Sequence, residues 1–155
     1  LFSINKSERG AYQALFRERT VHKSYEAIAP YDPTIAFPRE HASRMAESDS
    51  FIRMQEEPGA PNSWTRMQVL EHNLRWARYL LEPISGKRHQ LRVHMAALGL
   101  GLKGDGLYPL VDDAPEGDFS RPLMLLARTL KFQDPVTGQA RAFTTQRSLG
   151  DLPVD

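Results

Sequence analysis

Between Ser85 and Tyr108 the chain reads SGKRHQLRVHMAALGLGLKGDGLY, and cationic and imidazole side chains crowd its first half. A serine followed by good helix formers predicts a helix from about Lys87 to Leu98. The Ser85 hydroxyl would accept from the free N–H groups of the first turn. Gly99 and Gly101 are stop signals. Leu91, Met95 and Leu98 share one face and should pack inward. Arg88 and Arg92 are four apart and should stack one turn above the other. Lys87 and Arg88 at the helix start would add charge to unpaired N–H groups, a favourable place for an anion. The same spacing also fits a surface amphipathic helix with a solvated basic edge.

Away from this run the hydrophobic period changes. Val21 to Ala29 alternates and predicts a strand with Lys23 and Tyr25 on one face. A half-buried sheet tyrosine and a solvated lysine would satisfy that pattern without any function. Trp64 to Leu70 and Leu74 to Glu82 predict a hairpin around Glu71-His72-Asn73. Its second strand is apolar on both faces, as a central strand is. That strand runs through Pro83 into Ser85, so the expected helix begins at a strand end. Leu123 to Phe132 and Ala140 to Thr145 should pair across the turn Asp134 to Gly138. Ser7 and Glu8 open a helix through about Arg19, after Leu1 to Ile4, which read as the end of a strand. Prolines punctuate residues 30–63, where short strands are expected at Ala36 to Met45 and Phe51 to Gln55. Asp112 to Asp118 reads as an acidic loop, and the tail from Ser148 as loose. Together these elements predict one α+β domain over residues 1–155, a mostly antiparallel mixed sheet with a few flanking helices.

The 155 residues are enough to bury a core, and 41% hydrophobic with 25% charged residues is ordinary for a globular domain. No cysteine is present, which excludes disulfides and thiolate chemistry. No apolar run approaches the ~20 residues that span a bilayer, so no membrane partner is expected. A formal net charge of +1 does not announce nucleic acid, so any such binding must come from local patches.

Gly86-Lys87-Arg88-His89-Gln90-Leu91-Arg92-Val93-His94, then Leu98-Gly99 and Gly104-Asp105 with an aromatic, resembles the third signature motif of the RluA-type pseudouridine synthases. That motif reads Gly-Arg-x-His-Gln-Leu/Ile-Arg-Val-His, then Leu-Gly, then Gly-Asp and an aromatic. Lys87 departs from the usual Arg, and Leu102-Lys103 from the usual Pro-Ile. VHKSYEAI, Val21 to Ile28, resembles the family's Lys-x-Tyr strand. LARTLKFQDPVTGQ, Leu126 to Gln139, resembles its late His-Ala-x-x-Leu-x-Phe strand, with Leu126 in place of His.

The resemblance implies an isomerase that turns uridines of structured RNA, ribosomal or transfer, into pseudouridine. It implies no cofactor and no metal, and a cytoplasmic monomer is expected. An Asp attacks the nucleoside, the glycosidic bond breaks, and the base turns and rejoins through carbon. The family's Asp lies in a His-Arg-Leu-Asp motif that would precede Leu1. That motif does not occur in these residues, and the chain opens without Met. The expectation is therefore the C-terminal part of a catalytic domain, inactive alone; a non-catalytic RNA-binding module on the same fold is the alternative.

By the same resemblance Arg92 pairs with the nucleophilic Asp, and Tyr25 stacks on the flipped uracil and is placed for proton transfer. Lys23 stands beside it, Leu91 lines the uracil pocket, and Lys87 and Arg88 meet phosphates. His89 and Gln90 fall in the substrate-binding run. His89 and His94 are about 140° apart around a helix and cannot readily share a metal. His22, His41 and His72 offer no ligand spacing, so no metal site is expected. Asp105 lies beyond the glycine turn, about 20 Å along a helical path from Arg92. It is expected to bond backbone amides rather than Arg92.

Overall fold

A computed structural model of the chain describes residues 4–50, 52–110 and 120–154. Helix α1 (Arg9–Arg17) leads into β1 (His22–Pro30), and β2 (Arg39–Glu47), β3 (Met54–Glu57), β4 (Ser63–His72) and β5 (Trp76–Pro83) follow. Helix α2 (Gln90–Ala97) comes next, then β6 (Leu125–Gln133) and β7 (Ala140–Thr144). The strands form one sheet in the order β3-β2-β4-β5-β1-β6-β7. Every pairing among the described residues is antiparallel. The expected α+β architecture holds, with β1 and β5 at its centre.

Local chemistry accounts for the hairpin between β4 and β5. Asn73 accepts with its side-chain oxygen from the N–H groups of Arg75 (2.9 Å) and Trp76 (2.7 Å). An Asx turn of this kind reverses the chain without glycine. In the centre of the sheet Ala29 lies opposite Ala77 and Ala27 opposite Tyr79. These pairs pack in one cluster with Met67, Leu81, Leu91, Met95, Leu100 and Leu102. Leu91 and Met95 are the inward face that the spacing predicts. Burying each contributes about 1.5–3 kcal/mol, which fastens α2 to the sheet. Val93, on another face, joins Met45, Met54 and Tyr108 in a second cluster.

The middle strands run later than the sequence pattern places them, Arg39–Glu47 and Met54–Glu57. The expected strand at residues 1–4 and the acidic loop at 112–118 fall mainly outside the described residues. The tail after Ser148 is tied down rather than loose. Arg78 donates to Gly150 O, and Asn73 to Pro153 O at 3.0 Å. Arg78 is itself held against Glu71 and Glu26, with Arg128 on the other side of Glu26. A composition-based reading misses this because the anchors sit on distant strands.

His94 is the buried polar tie between helix and sheet. Its Nδ1 is 2.9 Å from Thr65 Oγ1, and its Nε2 lies 3.0 Å from Ser63 Oγ and 3.1 Å from Ser43 Oγ. Burial, then the neighbouring His41, pushes its pKa down to about 4. The unfolded chain therefore takes up this proton at a higher pH than the folded one does. The resulting stability is fully present above about pH 6.5 and is lost as pH falls toward 4. The wild type should lose about 2 kcal/mol between pH 7 and pH 5 from this group. His94→Asn, which cannot titrate, should be less stable at pH 7 but lose that much less on acidification. Urea unfolding at the two pH values checks this; parallel losses in both proteins would refute it.

Candidate active site

Helix α2 starts at Gln90, not near Lys87, and the Ser85 hydroxyl does not cap it. The chain enters through His89, whose φ of 55° is left-handed. Ser85 instead donates to Gln90 Oε1 (2.7 Å) and accepts from Trp64 N (3.0 Å). Gln90 Oε1 also accepts from Lys87 N (3.1 Å). Its Nε2 donates to Trp64 O (2.9 Å) and Thr65 Oγ1 (3.0 Å). The Gln90 amide thus uses both donors and both acceptor positions to pin the loop to β4. It has no hydrogen bond left for a substrate and acts by shaping the cavity.

The later start changes the cations as well. Lys87 and Arg88 are exposed on the loop before the helix, so Arg88 does not stack over Arg92. Arg88 reaches Arg53 O at 3.4 Å and comes within 4.0 Å of Glu47.

Lys23, Tyr25, Lys87, His89, Gln90, Leu91 and Arg92 all line one open cavity of about 420 Å³. Of the residues that the family resemblance assigns to catalysis or substrate binding, Arg88 alone is outside this wall. Lys23 and Tyr25 come from β1, where the register against β6 shifts between Ser24 and Tyr25. Lys23 donates to Ser85 O at 3.1 Å, which ties β1 to the loop. Burial lowers the Lys23 pKa and raises that of Tyr25. Tyr25 is therefore a neutral phenol at physiological pH, able to give a proton or a hydrogen bond. Its hydroxyl has no partner among the described residues. Leu91 is nearly buried and supplies an apolar wall. Phe16 and Leu125 also line the cavity. Sequence reasoning missed both, because each is apolar on a distant element and carries no motif.

The expectation that Asp105 stays away from Arg92 is overturned. Arg92 Nε donates to Asp105 Oδ2 at 2.8 Å, and its Nη2 donates to Oδ1. Oδ1 also accepts from Leu107 N (2.8 Å) and Tyr108 N (3.1 Å), so the expected backbone bonds are present too. The estimate along the chain failed because the chain does not stay helical. Gly99 and Gly104 take φ of 76° and 75°, and the chain doubles back between them. A Cβ on Gly104 would collide with the Pro122 carbonyl, so only glycine fits there.

Tyr108 completes the support. Its ring lies 5.1 Å from the Arg92 guanidinium and 5.0 Å from that of Arg53. Its hydroxyl accepts from Met54 N (2.7 Å) and sits 3.1 Å from His89 Nδ1. Burial, then Arg92 and Arg88, lowers the His89 pKa, so His89 is a neutral partner in this contact. The Asp105 side chain is fully buried and spends its oxygens inward. The Nη1 edge of Arg92 is the one that remains for a ligand in the cavity. Among the described residues no carboxylate lines it.

Residues 1–97 match the family model described as RNA pseudouridylate synthase. RNA pseudouridylate synthase domain-containing protein 1 of Mus musculus is 31% identical over 129 residues, covering 76% of this chain and 42% of that protein. Dual-specificity RNA pseudouridine synthase RluA of Escherichia coli K12 is 39% identical over 89 residues, 56% of this chain and 38% of that one. The solved structure of human RNA pseudouridylate synthase domain containing 1 is similar at a TM-score of 0.73 and 28% identity, over 93% of this chain and 62% of that one. This chain thus spans about two-fifths of the two curated relatives.

Removing the charge of Asp105 tests the support of Arg92. Asp105→Asn leaves a mostly buried guanidinium without a counter-charge, and breaking such a pair costs about 3 kcal/mol. Chemical denaturation should show a lowered midpoint of about that size. An unchanged midpoint would mean that Arg92 does not depend on Asp105.

Proposed function

The chain belongs to the RNA pseudouridylate synthase family, and on that premise we propose that its cavity takes a uridine flipped out of ribosomal or transfer RNA for isomerisation to pseudouridine. One observation carries the reading. Lys23 and Tyr25 of β1, and Leu91 and Arg92 of α2, are far apart in sequence yet line one cavity.

A base removed from its stack needs an aromatic or apolar wall, and Tyr25, Leu91 and Leu125 provide one. Lys87 and Arg88, exposed on the adjoining loop, suit the phosphates on either side. Arg92 offers its Nη1 edge to the carboxylate that attacks the nucleoside. A guanidinium beside that group keeps it ionised and orients it. The carboxylate bonds to the sugar carbon as the glycosidic bond breaks, and the uracil turns within the walled cavity; its C5 then bonds to the sugar carbon as the carboxylate leaves, C5 loses its proton and N1 gains one. Tyr25, as a neutral phenol, is positioned to exchange a proton with the base. The carboxylate is expected from a His-Arg-Leu-Asp segment preceding Leu1.

A second reading, supported by Lys87 and Arg88 exposed beside the cavity, is that these residues bind RNA without chemistry. Pseudouridine formation on transcribed ribosomal and transfer RNA separates the two. The chain alone should form none, and the chain extended by a His-Arg-Leu-Asp segment should form it. Turnover by the chain alone would sink the assignment of the nucleophile. No turnover by the extended chain would favour the binding module. In the active form, Tyr25→Ala should damage turnover far more than RNA affinity. Tyr25→Phe keeps the wall and should cost about 10²–10⁴-fold if the hydroxyl moves a proton. Near-normal turnover of both variants would make Tyr25 a sheet residue only.

A further inference from the structure

His41, Glu56 and His94 are far apart in sequence and belong to three elements, β2, β3 and α2. Folding brings one ligand atom from each within 4.8 Å of the others. We propose that these three residues form a binding site for a divalent metal ion of the zinc type. Two imidazoles and a carboxylate are a donor set that zinc, cobalt and nickel accept, whereas magnesium and calcium prefer oxygen alone.

The distances suit such an ion. Glu56 Oε1 lies 2.7 Å from His41 Nε2 and 3.9 Å from His94 Nε2. Two donors each about 2.0–2.1 Å from a tetrahedral zinc stand about 3.3 Å apart. The two spacings lie on either side of that value, so moving the Glu56 carboxylate between the rings satisfies both. Glu56 and His41 are partly exposed, which gives an ion a way in.

The surroundings of His94 favour a cation at Nε2. Ser63 donates its one hydroxyl hydrogen to Ser43 O at 2.8 Å, so its lone pairs face Nε2 at 3.0 Å. Ser43 Oγ stands beside it at 3.1 Å from the same nitrogen. Oxygen lone pairs from Ser63 and Glu56 thus converge on one point, and a proton on Nε2 or a metal ion can answer them. On the opposite side, Thr65 Oγ1 lies 2.9 Å from Nδ1 and takes a hydrogen bond from Gln90 Nε2 at 3.0 Å. Thr65 Oγ1 can still accept from an Nδ1–H. With a metal ion on Nε2 the ring proton sits on Nδ1, where Thr65 Oγ1 accepts it, the arrangement that metal-bound histidines use. The ion would cross-link β2 and β3 to α2, two residues from Arg92.

The test is independent of RNA and of catalysis. The full chain, stripped by chelator, is titrated calorimetrically with Zn2+, and with Co2+ read by its visible absorption. One equivalent should bind, with the spectrum of four-coordinate Co2+, and should raise the melting temperature. His41→Ala and Glu56→Gln, at partly exposed positions that should still fold, should each weaken Zn2+ at least tenfold. His72→Ala, on an exposed histidine elsewhere, should bind as the wild type does. Equal binding by wild type and His41→Ala would overturn the site. So would equal loss in His72→Ala, an octahedral Co2+ spectrum, or saturation by Mg2+ as readily as by Zn2+.

Discussion

A buried guanidinium cannot give up its proton, so it must have a carboxylate within reach. Arg92 finds that partner in Asp105, and the pair fixes much more than itself. To bring Asp105 back, the chain turns at Gly99 and Gly104, both with positive φ. In returning it places Leu100 and Leu102 in the main core. It also lays Tyr108 between Arg53 and Arg92. The cavity edge of Arg92 is rigid because its other edge is spent. A flexible arginine in that wall would lose side-chain entropy whenever it engaged a ligand.

The Gln90 amide plays the matching part for the other wall. It joins the loop of Ser85 and Lys87 to β4, and Lys23 ties the same loop to β1. The cavity is therefore bounded by two hydrogen-bonded junctions rather than by a mobile loop. Burial then sets the protonation states: it lowers Lys23 and raises Tyr25. Both shifts disfavour charge, as removal from water does.

Histidine chemistry divides along the same lines. His89, at the helix entrance, serves the Tyr108 support. His94, one turn on and on another face, serves the junction with β2 and β4. Helical phase describes only residues inside α2, and His89 lies before it in a left-handed conformation. It is silent on His41, which reaches His94 only because β2 pairs with β4 in a register that puts His41 opposite Thr65.

Local pattern in the sequence determined the strands of the hairpins, the inward face of α2 and the α+β class. These depend on neighbours within a few residues, where period and turn chemistry act directly. The motif run marked Leu91 and Arg92, the Lys-x-Tyr strand marked Tyr25, and the fold brings all three to one wall. Tertiary structure alone decided where α2 begins, because Gln90 is held by Trp64 and Thr65 and not by a local cap. It alone decided that Asp105 meets Arg92, that Phe16 and Leu125 complete the cavity, and that Glu56 stands between two histidines. Each of these rests on a contact between residues distant in sequence, and such contacts follow from strand register and chain reversals that no local pattern encodes.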